Sequence, residues 1–355
     1  MIVNKALGGR LLSGLPGRAC LTILAQIRTL MQSILDPAIL FFVFGLVAGR
    51  LRSNLEVPPQ ISRFLSLYLL MALGLKGGFA LAKSGLTVDV AVSLGCAIAL
   101  AIIAPAIGYQ VLKRFLSGFD AAAIAATYGS VSAVTFITAI QYLENHGVDY
   151  GGHMAAAMAL MESPAIIMAV VLANSLRQRN GGLSPQDKPQ AHVPLGKILH
   201  ESFTDGAQLL LLGAMLIGML TGEEGQAVMA PFSVDLFKGM LAFFLLDMGL
   251  MAARNMGELK HQSPWLLAYA LFGPLLHAGL ALALAWAAGI APGNGALLMV
   301  LAASASYIAV PAVLRYAIPE AKPSLYFGMS LGLTFPFNIL LGIPLYVGLA
   351  QQVLG

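Results

Sequence analysis

Hydroxyl-bearing and small residues are concentrated in two short runs of an otherwise apolar chain. The first, Thr127–Thr135 (TYGSVSAVT), lies near the middle of an apolar segment at about 119–143. The second, Ser304-Ala305-Ser306-Tyr307, lies at an equivalent place in a later segment. A membrane helix broken at such a run exposes N–H groups, carbonyls and hydroxyls that can bind ions. We therefore predict that the two runs face each other and hold a small anion and a cation.

The predicted anion site draws on both runs. Gly129 allows the backbone to unwind and an ion to approach closely, and the serine and threonine hydroxyls supply donors. The predicted substrate-binding residues are Gly129, Ser130, Ser132, Thr135, Ser304 and Ser306. Small residues also favour close helix packing, which stays open as the alternative for either run alone. The occurrence of two runs at equivalent positions favours a site.

Oxygen donors deep in the apolar segments predict a sodium site. Sodium is a hard cation and prefers carboxylate, carbonyl and hydroxyl oxygens. Carboxylates inside a membrane are costly and usually face a cavity or a partner. The predicted sodium ligands are Glu162, Ser163, Asp247, Thr334 and Asn338. Pro164 and Pro336 would each leave a helical carbonyl without its hydrogen bond. A structural hydrogen bond for the carboxylates, and a simple kink at the prolines, are the alternatives.

The composition indicates a polytopic membrane protein that is entirely α-helical. Hydrophobic residues make up 58% of the 355 residues and charged residues 10%, whereas soluble domains have about 25% charged residues. Walker A, zinc-binding and GxSxG motifs are absent from the sequence, which argues against a pump and against an enzyme. His277 has no His or Cys partner within a predicted span. We expect no nucleic-acid partner, and no cofactor other than sodium as a coupling ion.

Ten apolar segments divide the chain into two halves. The predicted organisation is an N-terminal extension (1–35), a first five-helix repeat (36–176), a cytoplasmic linker (177–200) and a second five-helix repeat (201–355). Similar patterns recur between the halves. Leu70–Leu75 matches Leu245–Leu250, Ser130 and Ser132 match Ser304 and Ser306, and Glu162–Pro164 matches Thr334–Pro336. Because five is an odd number, the second repeat must be inverted, as in many secondary transporters. Helices four and nine are predicted to be interrupted.

The distribution of lysine and arginine predicts the orientation. The odd-numbered loops carry most basic residues, whereas the even-numbered loops offer little beyond Lys83 and Lys238. Basic residues favour the cytoplasmic side. We therefore place the odd loops and the linker in the cytoplasm and both termini outside it, in a bacterial inner membrane. The basic residues within 1–35 run against this arrangement.

Three runs of the sequence resemble the sodium-dependent bicarbonate transporter family. They are Tyr128–Ser132 (YGSVS), Ala302–Ala312 (AASASYIAVPA) and Thr334–Asn338 (TFPFN), and the resemblance covers about 36–350. It implies a five-plus-five inverted repeat, symport of sodium with bicarbonate, a homotrimer and a cytoplasmic face that binds a nitrogen-regulatory PII-like protein. The chain departs from cyanobacterial members at Ala133-Val134, where they carry Gly-Ser, and at Glu162, where they carry Asp.

Two other functions stay open beside sodium–bicarbonate symport. The loss of a hydroxyl at Val134 removes a possible sodium ligand, so a sodium-coupled transporter of another small anion or carboxylate is the first alternative. A passive anion channel is the second. A channel favours a ring of like side chains or a filter of carbonyls, and the sequence has no repeated filter motif.

Overall fold

A computed structural model of the protein describes residues 35–179, 206–257 and 262–355. The predicted N-terminal extension, 1–35, lies outside the described residues except for Leu35, as does most of the predicted linker, 177–200. Within the described residues every regular element is helical, as the composition predicts.

The helices of the first half are α1 (Pro37–Arg50), α2 (Pro59–Ser84), α3 (Val88–Leu112), α4 (Gly118–Gly129), α5 (Ala133–Asn145) and α6 (Met154–Arg179). Those of the second half are α7 (Gly206–Ala230), α8 (Phe237–Asn255), α9 (Pro264–Ala287), α10 (Pro292–Ala303), α11 (Ala309–Ala317) and α12 (Pro323–Leu354). The short π-helical segment Pro231–Asp235 lies between α7 and α8, and two more, Ser330–Thr334 and Asn338–Gly342, lie within α12.

Seven helical stretches among the described residues are long and apolar enough to cross a membrane. The stretch Gly206–Asn255 has 50 residues, about 75 Å of helix, whereas a bilayer core is about 30 Å thick. It contains a non-helical Gly222 (φ 55°, ψ −138°) and the π-helical segment. Two shorter apolar helices, α1 and α10, stand beside these stretches. The protein is a multi-pass membrane protein.

Glycines bring two pairs of helices into close contact. A Cβ built on Gly45 of α1 would lie 3.1 Å from Cα of Gly249 in α8. Likewise, a Cβ built on Gly218 of α7 would lie 3.1 Å from Cα of Gly78 in α2. Only glycine permits backbones to approach so closely. In each pair a glycine of one helix lies against a glycine of the other, Gly45 against Gly249 and Gly218 against Gly78.

The helices form two groups. The glycine-packed group consists of α1 against α8 and α2 against α7. The crossing group consists of α3–α6 and α9–α12, in which α3 packs on α4 and α6 and α10 packs on α9 and α12. The cavities described below lie where the two groups meet, so side chains from both groups line them.

Candidate functional site

The first polar run interrupts a helix, as predicted. Helix α4 ends at Gly129, and Ser130 takes up an extended conformation (φ −93°, ψ −178°). Ser132 is also extended and caps α5, because its Oγ accepts a hydrogen bond of 3.2 Å from Thr135 N. Gly129 is required here for space, since a Cβ would overlap the ring of Pro105 in α3. The break between α4 and α5 is therefore stabilised by specific residues, the Ser132 cap and the close contact of Gly129 with Pro105.

The second polar run interrupts another helix in the same way. Helix α10 ends at Ala303, and Ser304 is extended (φ −80°, ψ 165°). The next helix, α11, begins at Ala309, and Ser306 Oγ accepts a hydrogen bond of 3.3 Å from Val310 N. Each break thus has a serine whose hydroxyl satisfies a free N–H group at the start of the following half-helix.

Two hydrogen bonds join the breaks. The backbone N–H of Ser132 donates to Ser304 Oγ at 2.9 Å, and the backbone N–H of Ser306 donates to the carbonyl of Thr127 at 2.8 Å. All four residues are buried. The two extended runs therefore touch, as the sequence analysis predicts, and the N-terminal ends of α5 and α11 come together at one place. Helix N-terminal ends carry partial positive charge and free donors.

A cavity of about 230 Å³ lies beside this crossing. Both helix groups contribute to its polar lining, which among the described residues consists of Ser66, Ser132, Glu162, Gln208, Ser306 and Tyr307. The Gln208 amide Nε2 donates a hydrogen bond of 2.6 Å to Glu162 Oε2. The cavity therefore contains hydroxyls and helix N-terminal ends on one side and a carboxylate on another.

The predicted anion residues divide into two layers. Ser132 and Ser306 line the cavity. Gly129, Ser130, Thr135 and Ser304 lie behind them within the breaks. Thr135 Oγ1 donates to Ser132 Oγ at 3.0 Å, which holds the hydroxyl that lines the cavity. Ser130 Oγ is buried and has no hydrogen-bond partner among the residues that the structure describes. An unsatisfied buried hydroxyl is uncommon and calls for a partner.

The structure does not bring the five predicted sodium residues together. Glu162 lines the cavity, with Ser163 next to it in α6. Asp247 instead accepts a hydrogen bond from Ser62 Oγ within the glycine-packed group. Asp247 was predicted to lie near Glu162, but α8 packs against α1 and α2 and carries its carboxylate to Ser62.

The other two predicted sodium residues support the helix breaks from within the crossing group. Thr334 Oγ1 lies 2.6 Å from Tyr128 Oη and donates to the carbonyl of Ala270 at 2.7 Å. Asn338 Nδ2 donates to the carbonyl of Ala303 at 2.8 Å, at the end of α10. Because their polar atoms are used in this way, Thr334 and Asn338 act as structural partners of the interrupted helices.

Among the described residues, no cluster of three or more His, Cys, Asp or Glu side chains could hold a metal ion. A sodium ion in this cavity would therefore rely on Glu162 together with hydroxyl, amide and carbonyl oxygens, which are ligands that suit a hard cation. Gln208 and Ser66 were not predicted from the sequence. The sequence feature that could have indicated Gln208 is its polar amide directly before four successive leucines.

A second set of polar contacts lies at the far end of α5. Lys76 Nζ of α2 is 3.2 Å from Glu144 Oε1. Asn145 Nδ2 donates to Asp36 Oδ2 at 2.8 Å, and Lys238 Nζ donates to Asn145 Oδ1 at 3.0 Å. We call these contacts the α5 latch, because they tie the end of α5 to the glycine-packed group. Asp36 and Asn145 also line a second cavity of about 400 Å³, whereas Lys76 lines a smaller cavity of about 140 Å³.

Tyr150 supports the α5 latch from the turn that follows α5. Its hydroxyl donates to Glu144 Oε1 at 2.9 Å. Burial raises the pKa of this hydroxyl, and the neighbouring Glu144 carboxylate raises it further. The hydroxyl therefore keeps its proton at neutral pH and remains a donor to Glu144.

Two interrupted helices that cross beside a cavity, in a multi-pass membrane protein, are the architecture of secondary transporters. The sequence profile of the Na+-dependent bicarbonate transporter superfamily matches residues 37–351. The chain belongs to this family, which confirms the resemblance noted in the sequence. It is accordingly a transporter of a Na+-dependent bicarbonate family and not an enzyme. No curated protein matches the chain at a significant level.

Proposed function

We propose that this protein is a symporter that couples sodium entry to bicarbonate uptake through the cavity at the helix crossing. The observation that carries the proposal is the pair of hydrogen bonds from Ser132 N to Ser304 Oγ and from Ser306 N to the Thr127 carbonyl. These bonds bring the N-terminal ends of two half-helices to one cavity.

The cavity suits a small anion that has both donor and acceptor groups. Bicarbonate has one hydroxyl and carries its negative charge on the other oxygens. The N-terminal ends of α5 and α11 favour that charge, and the hydroxyls of Ser132 and Ser306 can donate to its oxygens. Ser306 Oγ accepts one hydrogen bond in the structure, so it can also accept from the bicarbonate hydroxyl.

Glu162 supplies the negative charge that a cation needs in the same cavity. An anion beside the Glu162 carboxylate would be repelled by its negative charge, and this repulsion is stronger in a low-dielectric site than in water. A sodium ion between them removes this repulsion and so binds together with the anion. Coupling of the two ions follows, because each ion improves the site for the other.

The contacts of the glycine-packed group support the proposed inverted repeat of ten spans. The α1–α8 contact and the α7–α2 contact are equivalent under exchange of the two halves. The interrupted pair α4 and α5 likewise corresponds to α10 and α11. Counting α4 with α5 and α10 with α11 as single spans gives five spans in each half. This arrangement, with both termini outside the cytoplasm of a bacterial cell, remains part of the proposal.

The α5 latch supports transport by alternating access. Helix α5 has 13 residues, about 20 Å of helix, and runs from the serine cavity at Ser132 to the latch at Glu144 and Asn145. The cavity borders Gln208, just after the central linker, so we assign it to the cytoplasmic side. The latch then closes the opposite side. Its release, with movement of the crossing group against the glycine-packed group, would expose the site outward.

A transporter of another small anion or carboxylate would use the same groups, and competition of bicarbonate uptake by that anion distinguishes it. A passive anion channel would not accumulate substrate against its gradient. The cavity also has one carboxylate facing the anion site, and this charge disfavours an anion channel unless a cation accompanies each anion.

Two substitutions test the site. Ser132→Ala removes a donor to the anion, and Glu162→Gln removes the charge that binds sodium. We expect each to lower sodium-dependent bicarbonate uptake at least about tenfold, the equivalent of about 1.4 kcal/mol for a hydrogen bond to a charged group. Purified protein should remain monodisperse and present in the membrane at wild-type levels.

Matched controls lie away from the cavity. Ser175 donates only to the Val171 carbonyl of its own helix, and Glu223 lies in the exposed part of α7. Ser175→Ala and Glu223→Gln should leave uptake unchanged. Wild-type uptake in both Ser132→Ala and Glu162→Gln would refute the site assignment.

A further inference from the structure

Gln208 is a buried amide at the boundary between the two helix groups. It precedes Leu209–Leu212 in α7 and is 7% exposed. Its Nε2 donates to Glu162 Oε2 at 2.6 Å, and both side chains line the cavity beside Ser132. A buried amide within an apolar helix costs free energy unless it is hydrogen-bonded. The hydrogen bond to Glu162 therefore offsets the free-energy cost of burying the Gln208 amide.

The two partners come from different helix groups. Glu162 lies on α6 in the crossing group, whereas Gln208 lies on α7, which packs on α2 in the glycine-packed group. The hydrogen bond thus holds the cavity carboxylate from the side of the group that does not carry the helix breaks. While this hydrogen bond is present, the orientation of the Glu162 carboxylate depends on the relative position of the two helix groups.

We propose that Gln208 is a positioning residue for Glu162 and that it sets the sodium affinity of the cavity. The inference rests on the proposed function, because it assigns Glu162 to the sodium site. Gln208 fixes the rotamer of the carboxylate, so that the carboxylate does not lose conformational entropy when sodium binds.

The chemistry of an amide suits this role better than that of a basic residue. A carboxylate has about four lone-pair directions, so a hydrogen bond from Gln208 to one oxygen is compatible with further partners of Glu162. An amide is also neutral, so it orients the carboxylate without adding a positive charge of its own, as a lysine or arginine would. The amide oxygen of Gln208 is itself a hard donor of the kind that sodium prefers.

The test measures uptake of labelled bicarbonate into proteoliposomes as a function of sodium concentration, for Gln208→Met and Gln208→Asn. Methionine retains the length of the side chain but has no amide. Asparagine retains the amide but is one methylene shorter. We expect each substitution to raise the half-saturating sodium concentration about tenfold. The bicarbonate KM at saturating sodium should stay at the wild-type value. Leu212→Met, at a partly exposed position of the same helix, is the control for a methionine in α7.

The effect of substituting Gln208 on the half-saturating sodium concentration should require the Glu162 carboxylate. In a Glu162→Gln background the carboxylate is absent, so Gln208→Met should cause no further change in the sodium dependence that remains. A tenfold effect of Gln208→Met in both backgrounds would overturn the inference, as would an unchanged half-saturating sodium concentration in the single variants. A fall in maximal rate alone would assign Gln208 to structure and would also overturn it. Sodium-independent uptake by the wild-type protein would instead refute the proposed function itself.

Discussion

The backbone N–H of Ser132 donates to the hydroxyl of Ser304, across a sequence separation of 172 residues and at a distance of 2.9 Å. Ser132 is the last residue of the first helix break, Ser304 is the first residue of the second, and both are buried. Ser304 in turn donates to the carbonyl of Leu301 at 2.8 Å. One hydroxyl therefore gives the Ser132 N–H its acceptor and gives the Leu301 carbonyl a second donor beside the Ser304 N–H.

Loss of the Ser304 hydroxyl should destabilise the crossing. In Ser304→Ala the buried N–H of Ser132 loses its acceptor, which costs about 1–3 kcal/mol. We expect a lower thermal unfolding temperature in detergent together with reduced bicarbonate uptake.

The control for this prediction is Ser330→Ala, at an equally buried serine. The Ser330 hydroxyl donates only to carbonyls of its own helix, those of Tyr326 and Phe327, so its removal leaves no N–H without an acceptor. Equal unfolding temperatures for the two alanine variants would contradict the importance of the Ser132–Ser304 bond.

Gly129→Ala should disrupt the first break for steric reasons. The added Cβ would overlap the pyrrolidine ring of Pro105, and neither the ring nor the backbone of α4 can move far in a packed interior. Overpacking of this kind costs about 1–3 kcal/mol. We expect a lower unfolding temperature and loss of uptake.

Gly279 in α9 provides the matched control, because a Cβ there would meet no atom within 4 Å. Gly279→Ala should leave uptake unchanged and should not lower the unfolding temperature, since alanine is favoured over glycine within a helix. If Gly129→Ala behaved in the same way, the close contact between α4 and Pro105 would be irrelevant to the site.

Weakening the α5 latch should open the second cavity to solvent. A partly exposed ion pair is worth about 0.2–1 kcal/mol, so Lys76→Met should increase opening about threefold. The probe is Thr138→Cys, which lines that cavity, in a chain where Cys20 and Cys96 are replaced by alanine. A membrane-impermeant thiol reagent should label it faster in Lys76→Met than in the parent.

The reciprocal exchange of Lys76 and Glu144, Lys76→Glu with Glu144→Lys, serves as the control for the latch. It restores an ion pair of opposite polarity, so the labelling rate should return toward that of the parent. A labelling rate that is the same in parent, single and double variants would show that these contacts do not hold the cavity closed.

The breaks of the helices could be predicted from the sequence because their cause is local. Glycine and serine in the runs at Gly129 and Ser304 weaken helix formation and supply caps, and the observed breaks lie at those residues. Glu162 was predicted as a sodium ligand, since a carboxylate within an apolar span usually faces a cavity or a partner, and it lines the cavity.

The sodium ligands could not be predicted as a set from the sequence, because helix packing decides which side chains lie close together. Asp247 and Glu162 are both carboxylates inside apolar spans, yet α8 turns Asp247 toward Ser62 of α2. The position of a residue along a helix can be read from its number. The neighbour that its side chain contacts depends on which helix packs against that face. Gln208 was missed for the same reason, because its hydrogen bond to Glu162 depends on the contact between α6 and α7.

The register of the two halves shows a similar limit. A shared Leu-x-x-x-Gly-Leu pattern pairs Gly74 with Gly249, whereas the glycine–glycine contacts between helices involve Gly78 and Gly249. A shift of about one helical turn keeps the same face toward the neighbour, so sequence similarity alone does not choose between the two registers. For the proposed repeat, the glycine–glycine contacts of Gly45 with Gly249 and of Gly218 with Gly78 favour the second register.

The central claim is tested most directly by uptake of labelled bicarbonate into proteoliposomes that contain the purified wild-type protein. Uptake is measured with an inward sodium gradient, with equal sodium on both sides, and with potassium in place of sodium. The account predicts transient accumulation above the external bicarbonate concentration only with the inward sodium gradient. Equal uptake under all three conditions would contradict sodium-coupled symport.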